Sequence, residues 1–258
     1  DLQDGLAFEA LIAELSSRFI HLSPGAVDEA IEEALRRVCE PLQIDLAVLW
    51  QWSDSAPGVI TPTHAHVSAG VPRPSEPMKQ ADYPWSVGEM VAGRAIRMSS
   101  PDTLPAAAAV DRETCRFYGI RSALCLPLAV GGEPALGALG FNDLRADRDW
   151  PDPLVNRLEL VAAVVANALA RRRHDVRQRE SEERLSLAAD SAEAGLWTLD
   201  YDSGTFWATD RARTLFDYAP GEAITMDRLR ALVHPGDWDV VQRAIERSRS
   251  AGEPVDVE

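Results

Sequence analysis

Cysteine is scarce in this chain, and its scarcity excludes several readings at once. There are three, Cys39, Cys115 and Cys125. An odd number with no CxxC spacing supports neither a disulfide framework nor a zinc ribbon, and points to a reducing, cytosolic compartment. Positive charge is also short: 26 Lys and Arg stand against 41 Asp and Glu, a formal charge of −15 and a pI near 4.8. Non-specific binding to nucleic acid or to an anionic membrane needs local positive potential, so this balance opposes both. The longest apolar run lies near Leu160–Ala170 and is broken by Asn167. A membrane span needs about 18–20 such residues. Apolar residues nevertheless make up 46% of the 258 positions, enough for true cores and for one to two domains.

Residues 6–20 carry Leu6, Phe8, Leu11, Ile12, Leu15, Phe19 and Ile20 at helical spacing. Ser23-Pro24-Gly25 breaks that helix. A second follows with Val27, Ile31, Ala34, Leu35 and Val38 on one face, and Pro41 is expected to stop it. Ile44 to Trp52 reads as a buried strand, with Trp50 and Trp52 on one face and Leu49 and Gln51 on the other. The pattern then predicts a strand at 59–67, a short helix at 85–93, a strand at 95–98 and a helix over 105–118. A hairpin, 122–130 with 135–141, turns at Gly131-Gly132-Glu133. From Leu154 a helix runs to about Asp190, apolar along Leu158, Val161, Val165, Ala168 and Leu169, and charged after Ala170. This order predicts an α+β domain with one antiparallel sheet and helices on its faces.

Gly119-Ile-Arg-Ser-Ala-Leu-Cys-Leu-Pro127-Leu128, Gly132, Leu136-Gly-Ala-Leu-Gly-Phe141, Trp150 and the helix ending Arg171-Arg-Arg173 together resemble the C-terminal half of a GAF domain. Pro84-Trp85 and Leu104-Pro105 fit a bacterial subgroup of that family found upstream of PAS modules in signalling proteins. The resemblance covers roughly residues 6–173 and implies a sensory fold without fixing a ligand.

Each chemical candidate has a plainer reading beside it. The GAF domains that hold linear tetrapyrroles covalently use a Cys-His pair shortly before the glycine matched here by Gly119; those positions are Val110 and Asp111, which opposes a covalent bilin. Thr114-Cys-Arg-Phe117 superficially matches a flavin-binding motif of LOV photoreceptors, but in the GAF half and without matching flanks, so flavin is not expected. The residue set of cyclic-nucleotide GAF domains is not visible. No cofactor is required by the sequence. His64-Ala-His66 puts two imidazoles on one strand face, but a metal site needs a third ligand, and strand-edge polar residues are the expected role. An enzyme using His64, His66 or Cys115 lacks a nucleophile–base–orienter set and a Gly-rich phosphate loop. Cys115 reads as a core or pocket-wall thiol. Trp50, Trp52, Trp85, Phe117, Tyr118 and Phe141 fit either a ligand pocket or an ordinary aromatic core. The candidate ligand-binding residues are Trp50, Trp85, Cys115, Tyr118 and Phe141, with no catalytic or metal residue.

Residues 171–184 form a charged helix, with Arg179–Glu183 and Glu180–Arg184 at i,i+4 spacing. His174-Asp-Val-Arg177 imitates a histidine-kinase phosphoacceptor box, but lacks the Asn/Thr-Pro that follows it and any ATP-binding segment. Glu193-Ala-Gly-Leu-Trp-Thr-Leu-Asp200, Tyr201-Asp-Ser-Gly204, Phe206-Trp-Ala-Thr-Asp210 and His234-Pro-Gly-Asp237 resemble the front half of a PAS domain. Asp210 and Asp237 are expected to cap helices there, and residues 253–258 to begin a further strand.

The expected organisation is a GAF-like domain over 1–173, a signalling-helix linker over 174–190 and the N-terminal part of a truncated PAS-like domain over 191–258. The resemblance implies a cytoplasmic sensory region of a bacterial signalling protein, with a two-component histidine kinase as the expected parent and no catalysis in this segment. The rival outputs are a sigma-54-type activator or a cyclic-di-GMP enzyme, and a further rival is a dimerisation scaffold without ligand. The expected partners are a small molecule and a second copy, paired through the Leu158–Leu169 helix and the N-terminal helix. Neither nucleic acid nor, in this segment, a membrane is expected.

Overall fold

A computed structural model describes residues 2–53, 56–191, 195–199, 206–219, 222–225, 228, 230–231 and 233–251. The chain divides into two compact units, residues 1–176 and 177–258.

The first unit is built on a six-stranded antiparallel sheet ordered β3-β2-β1-β6-β5-β4. In chain order its elements are α1 (Leu2–His21), α2 (Val27–Leu42), β1 (Leu46–Trp52), β2 (Val59–Val67), β3 (Met78–Lys79), α3 (Pro84–Val91), β4 (Ile96–Met98), α4 (Ala109–Phe117), β5 (Ser122–Pro127) and β6 (Gly137–Asp143). Helix α5 (Asp152–Ser191) leaves this unit as a continuous 40-residue helix. Pro41 does not end α2. The helix runs one residue past it and stops where Gln43 turns left-handed, φ 53°.

Strand alternation divides the side chains into two layers. Leu49, Leu124, Leu126, Leu139 and Phe141 point to one face. There they are buried against Leu15 and Phe19 of α1, Ile31, Leu35 and Val38 of α2, and Leu158, Val161 and Val165 of α5. The alternate residues on β5 and β6, together with β4, α3 and α4, form a second and smaller cluster: Met90, Ile96, Met98, Cys115, Ala123 and Ala138.

Three backbone details hold this sheet in register. The pairing of β1 with β2 shifts between Leu49 and Trp50, which face His64 and Pro62, so Thr63 is bulged out. Pro62 beside the bulge has no N–H to offer the ladder. Gly137 lies so close to β1 that a Cβ there would sit 1.9 Å from the Trp50 carbonyl oxygen. The β5–β6 connection turns at Val130–Glu133, where Glu133 N–H donates to Val130 O at 3.1 Å and Gly131 and Gly132 both have positive φ, 62° and 81°. This matches the turn expected from the sequence, with the glycines where the turn needs them.

The apolar stripe of α5 is corrected by this layering. Leu158, Val161, Val165 and Leu169 are buried in the protomer's own core, so they are unavailable to pair with a second copy. The same packing accounts for the hydropathy of Asp152–Ala188, which by length and composition alone matches a membrane-crossing helix.

In the second unit, β7 (Trp197–Leu199) and β8 (Phe206–Ala208) pair antiparallel, and the Trp197 and Phe206 rings stack at 5.3 Å. Helix α6 (Asp210–Leu215) is capped by Thr209, not Asp210: the Thr209 hydroxyl accepts from Ala212 N–H at 3.3 Å and also from Leu196 N–H at 3.1 Å. Gly195 is required where it lies, since a Cβ would meet Ala212 Cα at 2.7 Å. At the next turn His234 Nδ1 accepts from Gly236 N–H at 3.2 Å. The backbone carbonyl of Asp237 receives Val240 and Val241 at the start of α7 (Trp238–Ala251). The predicted turn at 201–204, the apolar positions Met226, Leu229 and Leu232, and the strand at 253–258 lie outside the described residues.

Removing the fully buried Phe141 ring should open a cavity at the centre of the core. Phe141→Ala is expected to destabilise the first unit by about 3–5 kcal/mol in urea unfolding. Ile20→Ala, at a position 65% exposed, should stay within about 0.5 kcal/mol.

Candidate functional site

Strands β5 and β6 are lopsided. The face toward α1, α2 and α5 carries Leu124, Leu126, Leu139 and Phe141, whereas the opposite face carries Ala123, Cys125, Ala138 and Gly140. Small side chains leave space, and α3, α4 and the proline-rich segment Pro72–Met78 close over that space without filling it. The result is an apolar cavity of about 420 Å³. Leu46, Val48, Trp50 and Trp52 of β1 form its floor, Met98 of β4 and Met90 of α3 lie on its walls, and Tyr83, Cys115, Tyr118 and Asn142 supply its polar atoms. A void of this size with mostly apolar walls and a few polar groups has the character of a small-molecule site.

A buried carboxylate fixes one wall. Asp111 of α4 is fully buried and accepts from the backbone N–H groups of Trp85 (3.2 Å) and Ser86 (2.7 Å) in the first turn of α3. Two charge-assisted hydrogen bonds at the positive end of a helix offset the loss of hydration. They tie α3 to α4, the two helices that roof the cavity.

Of the five residues marked by the sequence, three meet here. Trp50, Cys115 and Tyr118 line the cavity; Tyr118 lies at its open side, edge-on to the exposed Phe117 ring with centroids 5.0 Å apart. Trp85 packs on the cluster beneath α3 and is not on the wall. Phe141 is corrected to the other layer: it shares strand parity with Leu139 and is buried against the helices. Met90, Met98, Ala123, Cys125 and Asn142 were not singled out. For Ala123, Cys125 and Asn142 the readable signal was the alternation of small and large residues along 122–127 and 137–143.

At His64 strand β2 has only β1 beside it, so the residue lies on a strand edge as expected, but its side chain is not exposed. It is buried beside α2, with Nε2 2.8 Å from Asp28 Oδ1 and Nδ1 2.9 Å from Thr63 Oγ1. His66 opens instead on a second, larger and more polar depression of about 830 Å³ with Cys39, Asp45, Asp143, Arg145 and Arg148. That depression offers little to a ligand, because its cations are already engaged. Arg148 pairs with Asp143 and donates to the Leu42 and Gln43 carbonyls, and Arg145 pairs with Asp45 and donates to Ala69 O. Among the described residues no group of three or more His, Cys, Asp or Glu is arranged to hold a metal.

Ionisation is suppressed around the cavity. Burial, reinforced by the Asp111 charge, pushes the Cys115 thiol up to about 11. Burial, with Cys115 nearby, pushes Cys125 up to about 12. Cys125 keeps surface open to the cavity, but that surface faces an apolar void and not bulk water. Cys39, in the core, is raised by burial and by Asp143. Both cavity thiols are therefore protonated and weakly nucleophilic at neutral pH.

In the unfolded chain these thiols lose their protons near pH 8.5, whereas the folded chain holds those of Cys115 and Cys125 to about 11 and 12. Between those values the folded state binds more protons, so stability falls as pH rises through the window. The urea midpoint should drop between about pH 8 and pH 10, and less steeply in the Cys115→Ala, Cys125→Ala variant. An equal slope in that variant would contradict the assignment.

The GAF domain family matches residues 26–169. No curated protein matches the chain. Among solved structures, the phycocyanobilin-bound GAF domain of a cyanobacterial phytochrome is similar at 12% identity and TM-score 0.55, over 65% of this chain and 96% of that one. The phycoerythrobilin-bound GAF domain of a cyanobacterial phytochrome is similar at 13% identity and TM-score 0.55, over 65% and 97%. A far-red-absorbing dark state with bound biliverdin IXα is similar at 10% identity and TM-score 0.53, over 63% and 99%. At these identities the likeness is one of fold. With its whole sheet and more than half of its residues inside the match, the chain belongs to the GAF domain family, a family of signalling sensory domains.

Proposed function

We propose that this chain is the cytosolic sensory region of a bacterial signal-transduction protein, a two-component histidine kinase, in which the GAF unit binds a small molecule and α5 relays occupancy to a following PAS-type module. In this reading the chain itself catalyses no reaction. The observation that carries it is the pairing of an unfilled apolar cavity on one sheet face with a helix that packs on the other face and continues, without a break, from Asp152 to Ser191. Support for the PAS-type module is the motif resemblance over 193–237 and the hairpin and capped helix of the second unit.

The bilin-bound neighbours suggest a chromophore as the ligand, but the residues here favour another. Val110 and Asp111 occupy the positions of the Cys-His pair; Val110 is exposed, and the Asp111 carboxylate is committed to Trp85 and Ser86. A freely exchanging small molecule fits better than a covalent chromophore.

The relay is testable by amide hydrogen exchange with naphthalene as an apolar test ligand. Saturation should protect Ser122–Pro127 and change exchange several-fold over 170–188, beyond any cavity wall. Protection of β5 with no change in the helix would refute the relay; no protection in either segment would refute ligand sensing.

The reading also includes a dimer through the face of α5 that the core leaves free. Leu160 is 54% exposed and is followed by Ala163, Asn167 and Ala170 at heptad spacing. Light scattering at micromolar concentration should give a dimer that Leu160→Glu dissociates. A monomeric parent chain, or a variant that stays dimeric, would contradict this face.

A further inference from the structure

We propose that the cavity selects an uncharged, largely apolar molecule of aromatic or polycyclic shape and rejects anions; this rests on reading the cavity as the sensory site. The fit to flat rings comes from the walls. Trp50 and Trp52 lie on the floor, Tyr83 and Tyr118 on the sides, and Met90 and Met98 add polarisable thioethers that pack well against aromatic faces.

The rejection of anions comes from charge. Arg73 is the one cation among the described lining residues. Its guanidinium is already taken, donating to Ala65 O at 3.0 Å and pairing with the Glu32 carboxylate. Glu76 stands in the same segment, and the buried Asp111 carboxylate is tied to the backbone of Ser86, itself a lining residue. An entering phosphate, sulfonate or carboxylate would lose its water without gaining a free cation, in a neighbourhood that is already negative.

Apart from Arg73 and Glu76, the polar side chains that line the cavity are neutral. Asn142 donates to Leu46 O at 3.5 Å. Burial keeps the Tyr83 phenol protonated far above neutral pH, with Cys115 and Cys125 acting in the same direction. Tyr83 lines the cavity, and its phenol O–H can donate to a neutral acceptor on a ligand, such as a carbonyl, an ether or a ring nitrogen.

A matched pair of fluorescent probes separates the terms of this inference. N-phenyl-1-naphthylamine is neutral, and 1-anilinonaphthalene-8-sulfonate has nearly the same shape with one negative charge. Titrated into the full chain, the neutral probe should bind saturably at one site, and the sulfonate at least about tenfold more weakly. Ala123→Phe, or Ala138→Leu if the first fails to fold by circular dichroism, should fill the space and abolish neutral-probe binding. Equal binding of both probes, lost together in the filled variant, would leave the site in place and overturn the neutral class. Neutral-probe binding that survives a folded, filled variant would overturn the site itself. No saturable binding of the neutral probe would overturn the proposal.

Discussion

Two adjacent strands divide large from small. At the centre of β5 and β6 the residues toward the helical layer are Leu124, Leu126, Leu139 and Phe141, and those toward the other layer are Ala123, Cys125, Ala138, Gly140 and Asn142. Bulk on one face lets α1, α2 and α5 close a dense core, whose burial supplies most of the drive for folding. Smallness on the other face prevents α3 and α4 from packing fully against the sheet. A void in a protein interior costs stability, so a cavity kept open in this way is the feature of the fold that most needs a functional explanation. Asp111 holds the roof in place by bonding the first turn of α3, so the space is bounded by fixed walls and not by loose ones.

The same sheet is joined to the exit helix by a small polar junction. Asp28, in the first turn of α2, receives His64 Nε2 of β2 and Arg172 of α5. Partial burial works to raise the Asp28 carboxyl, but the bonds from His64 and Arg172 prevail and hold it below the usual range. The neighbouring Arg171 donates to the carbonyls of Phe19, Ile20 and Leu22 at the end of α1. Movement in β2, whose Ile60 touches the cavity, therefore has a short route of hydrogen-bonded contacts to the point where α5 leaves the domain. Such a route gives the relay a physical substrate; its coupling energy is a matter for measurement.

Much of the fold was legible because periodicity is a strong signal over long segments. The long helix, the order of strands and the Gly131-Gly132 turn follow directly from spacing and residue type. The cavity was legible only in part. Trp50, Cys115 and Tyr118 were marked by chemical character and do meet. Phe141 was marked for the same reason and does not, because its parity with Leu139 places it in the core. Periodicity also showed an apolar stripe at Leu158–Leu169 without showing what covers it, and the protomer's own sheet does. Near helix starts the choice between Thr209 and Asp210 turned on a single residue, which spacing cannot resolve.

The central claim is that one face of this sheet holds a preformed, largely apolar cavity while the other holds a filled core. Crystals of the full chain under xenon pressure test it most directly, since xenon enters apolar voids that water leaves empty. The account predicts xenon between Val48, Met98 and Ala123, and none beside Phe141. Ordered water throughout that space, or side chains collapsed into it so that no xenon enters, would contradict the account.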